Sequence, residues 1–392
     1  MQSPETQNSP ESQIKVFEDL RGLNLSEKDL RVVPQETLVM VDFDTKTIWP
    51  GQDRMPAGFN PNRIMDEARN PGLGIKELHT RGIDGRGIRV AVIDQTLSLE
   101  SGIMSHQEYA SRIIDYKEFG DVKDEDISMH GPAVVSLLVG KSCGVAPGAE
   151  VVYRAVPSGR DFNYFADALL DIIESNRNLA PEHKVKVVSC SIGYKEDEPE
   201  PGLERWILAI KEAEEVGIIV CDVSSRTGVD YIGGGTSGNK DNPNEYYRPL
   251  FSKDTEDLEL DKIFAESNGD IDLILQKIKK MERDEILDIP DSVLKEKIQK
   301  ALDEREKEIL IPCDYRTMAS NRGVNEYMYN GKGGMSWSAP YLSGLYAMAL
   351  QVNSKLKKDQ IANAINRTAT KNQKGLKVVN PKGFIEAISQ DF

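Results

Sequence analysis

Short apolar runs alternate with longer amphipathic segments through the middle of the chain. The runs over 150–156, 185–192 and 218–223 predict strands, and the segments over 164–175 and 203–216 predict helices. This alternation is typical of βαβ units, whose parallel strands form a sheet covered by helices on both faces. In such folds the ligand cleft lies at the carboxyl ends of the strands. We therefore expect an α/β fold with a mostly parallel central sheet.

Two reactive side chains stand at the ends of further predicted elements. The β-branched run over 87–94 ends in Asp94, as a buried parallel strand would present an acid at its carboxyl edge. His130 precedes the apolar stretch 131–140, which predicts a helix. The acidic loop after Asp94 contains His106, which is the one rival to His130 among the histidines.

A third reactive group, Ser336, follows the glycine pair 333–334 and precedes the apolar segment 342–352. The composition of that segment favours helix, and Pro340 suits its first turn. A serine on a tight turn at a helix N-terminus has an exposed hydroxyl beside free backbone N–H groups and the positive end of the helix dipole. This is how a nucleophilic serine is usually presented.

Asp94, His130 and Ser336 occur in the chain order of the subtilisin triad. With them, the chain resembles the subtilisin-like (S8) serine peptidases over about residues 74–390, with one large interruption. The similar blocks are 75–82, 143–149, 187–193, 217–221 and 361–388.

The resemblance implies a three-layer α/β/α fold and a serine endopeptidase without a cofactor. Ser336 would attack the scissile carbonyl, His130 would take and return the proton, and Asp94 would orient the imidazole. The implied substrate is a protein or peptide, and the lining of its pocket would come from Ser191, Ile192 and Gly193.

The chain departs from the family where an asparagine usually completes the oxyanion hole. Residues 222–228 contain no asparagine, and Ser225 and Arg226 are the candidate substitutes. Loss of one such donor costs about a hundred- to a thousandfold in rate. Two alternative functions are therefore kept. One is a pseudoprotease that binds without turnover, and the other is a dedicated peptide-maturation enzyme or ligase.

Composition changes along the chain indicate four regions. Residues 1–13 are rich in Ser, Pro, Glu and Gln and predict a disordered tail. Residues 14–73, with a predicted strand over 36–43 and a short helix over 60–67, are interpreted as a permanent N-terminal extension, with a removable propeptide as the alternative. The catalytic domain is assigned to 74–250 and 310–392.

The remaining region, 251–309, is a charged insertion with apolar residues at helical spacing. A break at 289–292 predicts two helices. We interpret the insertion as a gate on the cleft or a contact for a partner, with a charged surface ornament as the alternative. The glycine-rich run 233–238 lacks the lysine of a phosphate-binding loop and predicts a flexible rim of the cleft.

The net charge of −15 argues against nucleic acid or an anionic membrane as a partner. No run of about 18 apolar residues is present, and the first residues do not resemble a secretion signal. Four cysteines without close pairing predict reduced structural thiols, so we expect a cytoplasmic protein. The acidic run 121–126 matches no calcium-loop spacing, and no metal site is predicted, although family members often bind calcium.

Overall fold

The computed structural model describes residues 14–390 with several gaps. The gaps are 98–102, 123–127, 195–197, 225–226, 237, 249–262, 265, 268 and 282–288. The tail predicted over 1–13 lies outside the described residues.

The elements are numbered in chain order. The strands are β1 (Asp42–Asp44), β2 (Arg89–Asp94), β3 (Ile113–Glu118), β4 (Glu150–Ala155), β5 (Val185–Cys190), β6 (Ile219–Asp222), β7 (Tyr231–Thr236), β8 (Tyr246–Tyr247), β9 (Ile309–Pro312), β10 (Arg316–Ala319), β11 (Tyr327–Asn330), β12 (Thr370–Lys371) and β13 (Lys377–Val378). The α-helices are α1 (Gln35–Leu38), α2 (Pro61–Glu67), α3 (Ile75–Thr80), α4 (His130–Val139), α5 (Phe162–Arg177), α6 (Leu203–Glu215), α7 (Ile271–Lys279), α8 (Asp291–Lys307), α9 (Ser338–Val352), α10 (Lys358–Thr368) and α11 (Pro381–Gln390). Single 3₁₀ turns occur at Gln52–Arg54, Ile103–Ser105, Pro181–His183, Pro243–Glu245 and Met335–Trp337.

The central sheet has five strands in the order β3-β4-β2-β5-β6, and every pairing in it is parallel. Strand β2 lies in the middle, and Asp94 at its carboxyl end is in register with Ala155 of β4. Because side chains alternate along a strand, β2 serves two cores. Val90 and Val92 contribute to one apolar cluster, and Ala91 and Ile93 contribute to another.

Helices cover both faces of this sheet. Residues of α4 and α9 belong to the cluster of Val90 and Val92, and residues of α5 and α6 belong to the cluster of Ala91 and Ile93. The predicted three-layer α/β/α fold with a mostly parallel sheet is confirmed. The strands and helices predicted over 150–223 are present, and their ends differ by a few residues.

The prediction of a flexible glycine rim, made for 233–238, is wrong over 233–236. Gly233 to Thr236 belong to β7, which pairs with β9 in a second, mixed sheet of order β12-β13-β9-β7-β8. The glycines are required by close packing. A Cβ at Gly234 would lie 2.9 Å from the Leu310 Cβ, and one at Gly235 would lie 2.8 Å from the Tyr247 ring.

The N-terminal segment packs through its own apolar cluster, which also includes Tyr327 and Tyr329 of β11. Strand β1 pairs with β11 in an antiparallel sheet of order β1-β11-β10. The strand predicted over 36–43 is wrong in extent, because the chain after Pro34 forms the single turn α1 before β1 begins. Helix α2 is present as predicted, and the Asn60 side chain caps it.

Two helices, α7 and α8, are present on either side of the predicted break in the insertion. They share a separate apolar cluster that includes Ile274, Ile278, Leu294 and Ile298. The role of the insertion as a gate or partner contact stays a prediction. No helix within the described part of the chain is long and apolar enough to cross a membrane.

Candidate active site

Asp94 is buried at the carboxyl end of β2. Its carboxylate accepts a hydrogen bond of 2.8 Å from the N–H of Gln95, and its backbone carbonyl accepts one of 2.9 Å from Val156. The side chain is therefore held by the turn that follows the strand. This local geometry points the acid at the start of α4.

His130 is the first residue of α4, and its N–H donates to Ser128 Oγ at 2.9 Å. The imidazole Nδ1 lies 2.8 Å from Asp94 Oδ1. An ionised carboxylate only accepts hydrogen bonds, so Nδ1 carries the proton and Nε2 of the neutral ring is the free base. The side chain of His130 is 24% exposed and that of Asp94 is 5% exposed, so the base faces an opening while the acid is shielded.

Burial of His130 opposes the charged imidazolium, but the charge of Asp94 and the hydrogen bond to it outweigh burial and raise the pKa of His130. A base with a pKa near working pH suits proton transfer in both directions.

Gly131 allows this contact. A Cβ at position 131 would lie 2.4 Å from the Gln95 carbonyl oxygen and 2.7 Å from the Tyr153 hydroxyl. The Tyr153 hydroxyl itself donates to the Gln95 carbonyl. The His-Gly pair in the sequence thus reflects a close approach between the start of α4 and the turn after Asp94.

Ser336 lies in the 3₁₀ turn at Met335–Trp337, directly before α9, and is half-buried. Gly333 begins the turn at φ +82°, and a Cβ there would lie 2.7 Å from the Asp314 Cβ, so glycine is needed on both grounds. Ser191 Oγ donates to the Ser336 carbonyl at 2.8 Å, which ties the turn to the end of β5.

The Ser336 hydroxyl donates to the Ser191 carbonyl at 3.5 Å. Within the described residues no hydrogen bond joins Ser336 to His130, so the contact expected between a nucleophile and its base is not formed in this conformation. Such bonds are often long without substrate and tighten when it binds. Trp337, the residue after Ser336, lies beside His130, since the centroids of the two rings are 5.3 Å apart.

A cavity of about 240 Å³ opens beside Asp94 and His130. Ser191 and Ile192, two of the three residues expected to line the substrate pocket, border this cavity, and their role in substrate binding stays a prediction. Gly193 lies at its border, where its carbonyl accepts a bond of 2.8 Å from Arg160, a further lining residue. A Cβ at Gly193 would lie 2.6 Å from a methyl of Val223, so this backbone packs against the end of β6.

The two candidates for the oxyanion side chain, Ser225 and Arg226, lie outside the described residues. The neighbouring Ser224 is already engaged, since its Oγ accepts a bond of 2.9 Å from the Tyr194 N–H. The backbone N–H of Ser336 is a further candidate donor.

The rival His106 has a structural place. It is fully buried, and its Nε2 donates to the Glu326 carbonyl at 2.9 Å. Burial lowers the pKa of His106, although the hydrogen bond to Glu326 opposes this effect. All four cysteines are buried and unpaired, and burial raises the pKa of the Cys143 and Cys221 thiols to about 12. In the described ranges no group of three or more His, Cys, Asp or Glu could hold a metal ion.

Sequence reasoning missed Asn330 and Trp337. Asn330 Oδ1 accepts bonds from the Gly333 N–H at 2.8 Å and from Trp337 Nε1 at 3.0 Å, on either side of Ser336. The position of an asparagine three residues before a turn glycine is a local signal that could have indicated the first bond. Nothing local indicates the second.

The chain is 29% identical over 194 residues to the major intracellular serine protease of Bacillus subtilis (strain 168), and the match covers 45% of this chain and 56% of that protein. It thus spans about half the length of that relative. No protein-family model matches the chain.

Among solved structures, the prenylagaramide maturation protease PagA is similar, with a TM-score of 0.50 and 15% identity, over 80% of this chain and 98% of that one. At this identity the likeness supports the fold alone. In its fold and in part of its sequence, the chain is similar to subtilisin-like serine proteases.

Proposed function

We propose that the protein is a serine endopeptidase that hydrolyses peptide bonds with Ser336, His130 and Asp94. The observation that carries this proposal is the 2.8 Å hydrogen bond between His130 Nδ1 and buried Asp94, with Ser336 on the neighbouring turn before α9. This bond leaves Nε2 free to act as a base at the mouth of a cavity, which is one of the two contacts that general-base activation of a serine requires.

In the proposed reaction Ser336 Oγ attacks the scissile carbonyl carbon while His130 Nε2 takes the hydroxyl proton. Asp94 stabilises the imidazolium that results, and the backbone N–H of Ser336 donates to the developing oxyanion. The imidazolium then protonates the leaving amine, and the C–N bond breaks to give an acyl-enzyme. Water, deprotonated by His130, attacks the ester, and Ser336 regains its proton as the acid product leaves.

The substrate is proposed to be a protein or peptide that lies against Ser191, Ile192 and Gly193, half-buried residues that follow β5 beside the cavity. We also propose that the protein acts in the cytoplasm. Its four buried, unpaired thiols suit a reducing compartment, and the relative in Bacillus is named an intracellular protease.

A pseudoprotease is the second candidate, and one observation favours it. The Ser336 hydroxyl points to the Ser191 carbonyl at 3.5 Å and not to His130. A protein that binds peptides in the cleft without turnover would keep this arrangement when a ligand binds.

Labelling of the full chain with a fluorophosphonate serine-hydrolase probe separates the two. We expect wild type to be labelled, and Ser336→Ala and His130→Ala to lose labelling by at least about a thousandfold, because each removes a reacting group. The exposed Ser354→Ala and His183→Ala serve as matched controls. An unlabelled, folded wild type that still binds peptide would favour the pseudoprotease. Ligated products in a peptide assay would instead indicate a maturation enzyme.

A further inference from the structure

One side chain, that of Asn330, contacts the turn that carries Ser336 on both sides of the serine. Asn330, the last residue of β11, accepts hydrogen bonds from the Gly333 N–H, three residues before Ser336, and from the indole of Trp337, directly after it. A single amide oxygen therefore fixes the turn on both sides of the serine. Trp337 is buried, and its ring lies against that of His130 at 5.3 Å between centroids.

Asn330 can hold the turn only if its oxygen, and not its NH₂ group, faces Gly333 and Trp337. Asp42 of the N-terminal segment selects that orientation. Asp42 Oδ2 accepts a bond of 2.8 Å from Asn330 Nδ2, and Asp42 Oδ1 accepts one of 3.1 Å from the Gly331 N–H. Because a carboxylate only accepts, it draws the NH₂ group of Asn330 towards itself and turns the oxygen towards the serine turn.

Asp42 is itself firmly placed. It lies opposite Asn330 in the β1–β11 register, and its backbone N–H donates to the Glu18 carbonyl at 3.0 Å. The two backbones approach so closely that a Cβ at Gly331 would lie 2.5 Å from the Val39 carbonyl oxygen and 2.7 Å from that of Val41. The N-terminal segment thus lies directly against the strand that leads into the Ser336 turn.

We propose that Asp42 and Asn330 are positioning residues for Ser336, through a hydrogen-bond relay from Asp42 to Asn330 to the indole of Trp337. The proposal rests on the proposed peptidase function. It makes the N-terminal segment a working part of the active site, since that segment supplies the carboxylate that orients the relay. A segment that is removed on maturation would take this carboxylate away.

An exchange of the two side chains tests the relay without changing its volume. In Asp42→Asn, the new amide has one oxygen for two donors, the Gly331 N–H and the Asn330 NH₂ group, so one donor faces another whichever way either amide turns. In Asn330→Asp, two carboxylates face each other. In the double variant, the carboxylate at position 330 would accept hydrogen bonds from the Gly333 N–H, from the Trp337 indole and from the amide NH₂ group at position 42. The oxygen of that amide would accept the hydrogen bond from the Gly331 N–H. Every hydrogen bond of the wild type is then restored, with donor and acceptor interchanged between positions 42 and 330.

The first readout is the second-order rate constant for fluorophosphonate labelling of the full chain. We expect each single variant to react about ten- to a hundredfold more slowly, because small displacements of a reacting group cost rates of that order. The exchanged double variant should recover most of the loss. Asp53→Asn, an exposed acid of the same segment, serves as the control and should label as wild type.

The second readout does not depend on activity. The chain has three tryptophans, so its indole N–H signals in a ¹H–¹⁵N spectrum are few, and Trp337→Phe assigns the relevant one. This signal should shift in both single variants and return in the double variant. If wild type were never labelled but the signal behaved in this way, the relay would stand and the proposed function would fail.

Two results would overturn the relay. One is an unchanged labelling rate and an unchanged indole signal in both single variants. The other is a folded double variant that is no better than the single variants, because a general effect on packing, unlike a relay, is not reversed by exchange.

Discussion

At the scale of single residues, the contact between Asp94 and His130 sets the chemistry of the site. His130 Nδ1 is occupied by a carboxylate that is almost fully shielded from solvent. The charge of Asp94 therefore acts at close range and at low local dielectric, where it is strongest. The same contact fixes which nitrogen of His130 is free. The pH dependence of fluorophosphonate labelling should report the effect of this contact on the pKa of His130.

The pKa of His130 is raised above its usual value near 6.5. In the proposed mechanism only the neutral imidazole acts as the base, so labelling should rise with pH to a half-maximum above about 6.5. In Asp94→Asn, burial is no longer opposed by a charge, and we expect the midpoint to fall below that of wild type and the plateau to drop by several orders of magnitude. Rate profiles of both proteins check this, with the exposed Asp359→Asn as control. An unmoved midpoint would contradict it.

Gly131 provides a second test at this scale. In Gly131→Ala the new methyl would meet the Gln95 carbonyl oxygen at 2.4 Å and the Tyr153 hydroxyl at 2.7 Å. We expect a loss of about 1–3 kcal/mol in the free energy of unfolding and slower labelling, since relief of the clash must move α4 or the turn after Asp94.

Gly238→Ala is the matched control, because its methyl would make an ordinary contact of 3.5 Å with Glu245. Chemical denaturation and the labelling rate measure the two effects. Equal stability of the two glycine variants would show that the close approach at Gly131 can relax without cost.

At the scale of elements, the link between β9 and β10 carries a buried acid behind the Ser336 turn. Asp314 accepts bonds of 3.1 and 3.0 Å from the Thr236 N–H of β7, and its Cβ lies against Gly333. Burial, opposed by the Thr236 N–H and by Lys240 and Arg316, raises the pKa of Asp314 to about 7. This junction between the second sheet and the serine turn is therefore sensitive to pH.

The sign of the effect follows from linkage. Between the unfolded pKa near 3.8 and the folded value near 7, the folded state holds a proton that the unfolded state has lost, so this group's contribution to stability falls as pH rises, by roughly 4 kcal/mol at most. Asp314→Asn should remove that slope. Urea denaturation at several pH values measures the slope of the free energy of unfolding against pH, with the exposed Asp230→Asn as the control variant. Parallel slopes in wild type and Asp314→Asn would contradict this assignment to Asp314.

At the scale of the whole molecule, the parallel sheet was predictable because each strand and helix carries its own apolar pattern. The contact of Asp94 with His130 was implied by the resemblance to the subtilisin-like peptidases, and their catalytic roles stay predictions. The run of glycines in β7 was misread because its cause is the packing of Leu310 and Tyr247, which are remote in sequence. Asn330 and Trp337 were missed for the same reason, since their orientation depends on Asp42.

The separation between Asp42 and Asn330 along the chain, 288 residues, has a consequence for the order of assembly. During synthesis β1 emerges first and its partner β11 among the last strands, so this pairing closes a very long loop and is expected late in folding. A nascent chain would carry Asp94 and His130 well before the relay to Trp337 could form. Under the proposed function, full reactivity would need both Ser336, which itself follows β11 in the chain, and this late pairing, so it would appear only after nearly the whole catalytic region has been synthesised.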